Sequence, residues 1–82
     1  MKEVSIYLDG DIEKAKKLVN IASTYSNDVD MICGRYIFDC KSILSVISVD
    51  LNRKDIKVRL LCNDLDEQEK IIEKMKIFQK GE

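Results

Sequence analysis

The switching of the hydrophobic period between two residues and about 3.6 constrains this chain more than any other feature. Val4, Ile6 and Leu8 alternate with Glu3, Ser5 and Tyr7, as in a strand with one buried face. Asp9-Gly10-Asp11 interrupts that run. Ile12, Ala15, Leu18, Val19, Ala22 and Tyr25 then recur at helical spacing behind Asp11, a good N-cap residue. Lys14, Lys16 and Lys17 fall on the other side and read as a solvated face. After Ser26-Asn27-Asp28, Val29, Met31 and Cys33 alternate, Gly34-Arg35 turns the chain, and Tyr36 to Cys40 returns as the second arm of a hairpin.

The next stretch, Lys41 to Asn52, reads KSILSVISVDLN. Ser42 stands where an N-cap belongs, and Ile43, Val46, Ile47 and Leu51 repeat at helical spacing behind it. Leu44 falls off that stripe, so the helix carries more apolar surface than one buried face needs. Past a charged turn, Asn52 to Asp55, the residues Ile56, Val58, Leu60 and Cys62 alternate with Lys57, Arg59 and Leu61. The turn Asn63 to Asp66 offers two capping boxes, Asp64 with Glu67 or Asp66 with Glu69. Ile71, Ile72, Met75 and Phe78 form the buried face of a last helix, and Gly81 stops it.

The resulting order is strand, helix, strand, strand, helix, strand, helix: an α+β chain, read as a single domain over residues 1–82. Every connection except the hairpin is helical, so the helices are expected on one face of a four-stranded antiparallel sheet. Order alone also allows a ferredoxin-like split βαβ sheet.

Charge and composition narrow the function. Fourteen Lys and Arg against 15 Asp and Glu leave a net charge of −1, so no global basic field exists to hold nucleic acid or an anionic membrane. No apolar run is long enough for membrane insertion and no signal-peptide pattern opens the chain, which makes the cytoplasm the expected compartment. Cys33, Cys40 and Cys62 form no CxxC pair and read as reduced core residues. There is no histidine, and the spacing offers no set of metal ligands; no metal or other cofactor is expected. No nucleophile–base pair or phosphate loop argues for an enzyme. Nothing in the pattern sets an oligomeric state.

The run Lys-Ser-Ile-Leu-Ser-Val-Ile-Ser, residues 41–48, resembles the regulatory-serine segment of HPr, the histidine-containing phosphocarrier of the bacterial sugar phosphotransferase system. In that family a Lys-Ser-Ile triplet opens the second helix and its serine is the target of a dedicated kinase; Ser42 matches that serine. The resemblance continues upstream without a gap through Gly34-Arg35, Asp28-Val29 and Asn20 to Ser26; downstream, Ile56 to Cys62 and the last helix also fit, so it covers nearly the whole chain. It implies an HPr-like open-faced β-sandwich of order βαββαβα. It also implies partner docking through Lys41, Ile43, Leu44 and Ile47, with Lys41 able to offer a cation beside a phosphate on Ser42.

The family's phosphoryl chemistry is missing. The ungapped match puts the family's histidine, arginine and proline positions on Asp11, Glu13 and Lys14, so no catalytic residue is assigned. Asp11 reads as a cap rather than as a phosphate acceptor, and with Glu13 it makes this helix end acidic. Ser45 and Asp50 stand where the family usually has glycines. The resemblance therefore implies a regulatory or adaptor protein that binds other proteins (an HPr kinase, a transcriptional regulator or a phosphotransferase-system component) and transfers no phosphate. The alternative is an HPr-fold interaction domain with a new partner, in which Ser42 is only a helix cap.

Overall fold

The computed structural model describes residues 2–61 and 64–79. Four strands, β1 (Lys2–Ser5), β2 (Val29–Cys33), β3 (Tyr36–Asp39) and β4 (Ile56–Leu60), form one sheet in the order β1-β4-β2-β3. All three pairings are antiparallel. A ferredoxin-like split βαβ sheet is antiparallel as well but sets β1 and β3 side by side at its centre; here β4 and β2 hold the centre, so the strand order excludes that alternative. The helices are α1 (Ile12–Ser23), α2 (Ile43–Ile47) and α3 (Leu65–Met75), the last running into a 3₁₀ turn, Lys76–Phe78.

The register shows why one face is covered. Val4 lies opposite Val58, which lies opposite Met31; Leu60 lies opposite Val29, and Ile56 opposite Cys33. All of these are buried, and they pack with Ala15, Leu18, Ala22 and Tyr25 from α1 and its end, Val46 from α2, and Ile71, Met75 and Phe78 from the C-terminal helix. The alternate residues Glu3, Asp30, Ile32, Ile37, Lys57 and Arg59 lie on the open face, where Arg59 Nη2 donates to Asp30 Oδ2 at 3.2 Å. The hairpin turns on Gly34, whose φ of +62° at the first central position is the II′ pattern. Cys33 and Cys40 are buried free thiols, as expected; Cys62 and Gly81 lie outside the described residues.

Three expectations are corrected. The pattern at Ile6 and Leu8 continues a strand, yet β1 ends at Ser5; both residues are buried all the same, and Ile6 N still donates to Ile56 O at 3.0 Å. The stripe drawn through Leu51 overstates α2, which ends at Ile47. The Ser48 hydroxyl donates to the Ser45 carbonyl at 2.6 Å and Asp50 Oδ1 accepts from Asn52 N at 3.0 Å, so local side chains take over the backbone groups a longer helix would use. Ile12, assigned to the buried stripe of α1, is exposed. At α3 the structure chooses between the two boxes: Asp64 Oδ1 accepts from Asp66 N and Glu67 N, at 3.0 and 3.2 Å.

Candidate functional site

The corner between β3 and α2 is fixed by backbone bonds before any side chain acts. Cys40 N donates to Val29 O at 2.9 Å, Ser42 N to Asp39 O at 3.1 Å, and Lys41 N to Asp39 Oδ1 at 2.9 Å. Ser42 keeps extended backbone, and its Oγ accepts from Ser45 N at 3.3 Å, as an N-cap does. The serine is half-buried, so its hydroxyl both ends a helix and borders solvent. Lys41 does not point back at it. Lys41 Nζ donates to Tyr25 O at 2.7 Å, beyond the C-terminal end of α1, so the cation expected beside Ser42 is committed elsewhere.

Within α2 one apolar residue turns inward and three turn outward. Val46 is fully buried, whereas Leu44 is 75% exposed, Ile47 37% and Ile43 36%. The stripe spacing predicts a helix but cannot say which edge of a wide stripe meets the core. Gly10 N donates to Leu51 O at 2.9 Å, which brings the start of α1 beside the segment leaving α2. Gly10 is required there, because its φ is +67° and a Cβ would lie 2.6 Å from Asn52 Oδ1. Lys41 ties the other ends together, so α1 and α2 lie side by side in opposite senses. Exposed Ile12 therefore sits at the end of α1 next to the exit of α2. Its position directly after the N-cap, ahead of the buried turns of α1, was the available signal.

The start of α1 is carboxylate-rich and internally engaged. Asp11 Oδ1 accepts from Glu13 N at 2.9 Å and the Asp11 carbonyl from Ala15 N at 3.2 Å. Lys14 Nζ pairs with Asp9 Oδ2 at 2.7 Å, and Lys16 with Glu13 at 3.4 Å. An anionic group approaching this helix end would meet carboxylates, and Asp11 is occupied as a cap. Neither thiol among the described residues, Cys33 or Cys40, offers a substitute nucleophile. Burial pushes the Cys40 thiol up to about 12, with Asp39 and Asp30 adding to it, and burial also raises Cys33 against the opposing pull of Arg53. Among the described residues no group of His, Cys, Asp and Glu is arranged to hold a metal ion, and no helix is long and apolar enough to cross a membrane.

No family model and no curated protein matches this sequence. Solved structures do match it. The HPr-C-His protein of Thermoanaerobacter tengcongensis aligns at TM-score 0.70 and 18% identity over 93% of this chain and 92% of its own. A histidine-containing phosphocarrier protein of Mycoplasma aligns at TM-score 0.71 and 22% identity over 93% and 90%. The phosphocarrier protein HPr of Bacillus anthracis aligns at TM-score 0.67 and 18% identity over 95% and 94%. The chain thus has the HPr-like open-faced fold, and the match runs over nearly its full length.

Proposed function

We propose that this chain is an HPr-like protein of the phosphotransferase-system family, a single domain over residues 1–82, that carries no phosphate on histidine and acts instead as a regulatory adaptor. The observation that supports it most is the pairing of Ser42, capping α2 at the surface, with the exposed residues Leu44, Ile43 and Ile47 immediately beside it. In this reading a kinase of the HPr type modifies Ser42, and the new charge changes which proteins dock on the apolar residues. The partner is another protein, a transcriptional regulator or a phosphotransferase-system component, met in the cytoplasm. The phosphocarriers among its structural neighbours support the family; the absence of histidine and the acidic start of α1 support the loss of phosphate carriage.

The test is incubation of the purified chain with HPr kinase and ATP, read by intact mass and peptide mapping. One phosphate on Ser42 is the expected result; no modification, or modification elsewhere, overturns the regulatory reading. A second reading has its own observation: the Ser42 hydroxyl is already used by Ser45 N. On that reading the chain is an HPr-fold interaction domain with a new partner, Ser42 only caps a helix, and docking proceeds on unmodified protein.

A further inference from the structure

The edge strand β3 carries a pattern that the proposed α2 docking surface does not use. Among the described residues it pairs with β2 only, so its other side is an unpaired edge. Asp30 lies opposite Asp39, and one step beyond that pair Cys40 N donates to Val29 O at 2.9 Å, as in a hydrogen-bonded pair. Hydrogen-bonded and non-hydrogen-bonded pairs alternate along an antiparallel ladder, so Phe38 and Tyr36 also turn their backbone groups to β2. Ile37 and Asp39 turn theirs outward. The Asp39 carbonyl is taken by Ser42 N, which leaves the Ile37 N–H and C=O and the Asp39 N–H on the edge.

Natural edge strands are usually blunted by lysine, proline or a bulge. Tyr36–Asp39 has none of these, and Tyr36 and Ile37 are 62% and 57% exposed. The opposite edge, β1, carries Lys2 and Glu3. With the turn residue ahead of it, the strand reads Arg35-Tyr36-Ile37-Phe38-Asp39: cation, aromatic, aliphatic, aromatic, anion. That order is its own complement when read backwards.

We propose that the partner of this edge is a second copy of the chain, with the two β3 strands antiparallel about a two-fold axis through Ile37. In that register Ile37 faces Ile37 of the second copy as a hydrogen-bonded pair, using the outward N–H and C=O of both. Arg35 faces Asp39 of the second copy, whose free N–H meets the Arg35 carbonyl; both ion pairs form because the axis repeats them. Tyr36 faces Phe38 of the second copy in a non-hydrogen-bonded pair, where side chains approach most closely. Half-buried Ile32, opposite Ile37 within each copy, extends the apolar row across the open face. Any other antiparallel register breaks the pairing of Arg35 with Asp39, setting one of them against an uncharged or like-charged residue, or directs bonding groups away from one another. A pairing this short buries less than the roughly 1,000 Å² of a stable complex, so the dimer forms and dissociates with concentration.

Sedimentation equilibrium on the whole chain tests this between about 10 μM and about 1 mM. The expected mass rises from 9.5 kDa toward twice that value. A mass that stays monomeric through the range overturns the proposal. Ile37→Lys sets two ammonium groups against each other at the axis and should weaken association at least about tenfold, with Arg35→Asp weakening it less. Leu44→Asp should leave association unchanged. Self-association lost in Leu44→Asp but kept in Ile37→Lys assigns the contact to α2 and overturns the proposal. Circular dichroism melting checks that the variants fold. Amide exchange on the unaltered chain probes the same contact without mutation: Ile37 N–H protection must rise with concentration, and protection independent of it counts against the dimer.

Discussion

The Lys41 ammonium donates to the Tyr25 carbonyl at 2.7 Å, and this one bond moors the residue ahead of Ser42 to the segment that ends α1. Tyr25 itself is buried in the core, so the tether joins the exposed α2 corner to a fixed point.

Lys41→Met should therefore behave as the loss of a charge-assisted hydrogen bond, costing about 1–2 kcal/mol in urea unfolding. It should not change the phosphate titration of a Ser42-phosphorylated sample followed by phosphorus NMR, because the ammonium is held away from Ser42. A phosphate pKa that rises in the Lys41→Met protein would show that the lysine swings back to the modified serine.

This tether also marks the limit of what the sequence discloses. Alternation at Val29, Met31 and Cys33 and at Ile56, Val58 and Leu60 announces two strands, because a buried face leaves a period-two record. Asp11, Ser42 and Asp64 announce helix starts, because a cap is a local bond. Direction and reach leave no such record. Ile12, Ile43 and Ile47 have the same spacing as Val46 yet stay exposed, since only the placement of neighbouring elements decides which edge of an apolar stripe is covered. Lys41 and Tyr25 are 16 positions apart and follow no periodic rule.

On the proposed reading, Asp11→His places a histidine where the resemblance puts the family's phosphate carrier, and the variant should still accept no phosphate from phosphoenolpyruvate and enzyme I. Asp9 and Glu13 remain beside it, and the imidazole gives up the cap that Asp11 makes to Glu13 N, at a cost of about 1 kcal/mol. The unaltered chain should likewise take up no label. Stoichiometric, heat-labile labelling of either protein would refute the loss of carriage.

Leu44→Asp separates docking from packing. The side chain is mostly in solvent, so thermal stability should change by no more than about 0.5 kcal/mol, as for an ordinary surface substitution. Capture of a phosphotransferase-system partner should be lost. A melting temperature that falls by many degrees would make Leu44 a core residue instead.

Cys40 gives the fold a signed alkaline dependence. An unfolded thiol ionises near about pH 8.5, whereas the folded one is held up to about 12 by burial, with Asp39 and Asp30 opposing the thiolate as well. The folded pKa is raised, so the contribution is complete below the unfolded value and is lost as pH rises toward the folded one. Between the two, stability should fall by about 1.4 kcal/mol per pH unit from this group alone. Comparison with Cys40→Ala isolates it: the advantage of the native residue in urea unfolding should shrink between pH 9 and pH 11. A constant difference would show that the thiol titrates normally.

Ser42 carries the remaining question, whether a cap is also a switch. Its Oγ accepts from Ser45 N, so Ser42→Ala should lower stability by about 1 kcal/mol. Ser42→Asp keeps an acceptor at the cap and adds negative charge at the positive end of α2, which should restore most of that loss. The dipole of a five-residue helix is small, so phosphorylation should leave the fold close to neutral rather than strongly stabilised. Its effect is then expected outside the helix, where the charge stands beside Leu44 and Ile43. Partner binding measured at equal folded fraction decides between the roles. If Ser42 is only structural, the Ala and Asp variants bind alike once both are folded. If it is a switch, Asp and phosphoserine shift affinity together, in the same direction, while Ala does not follow.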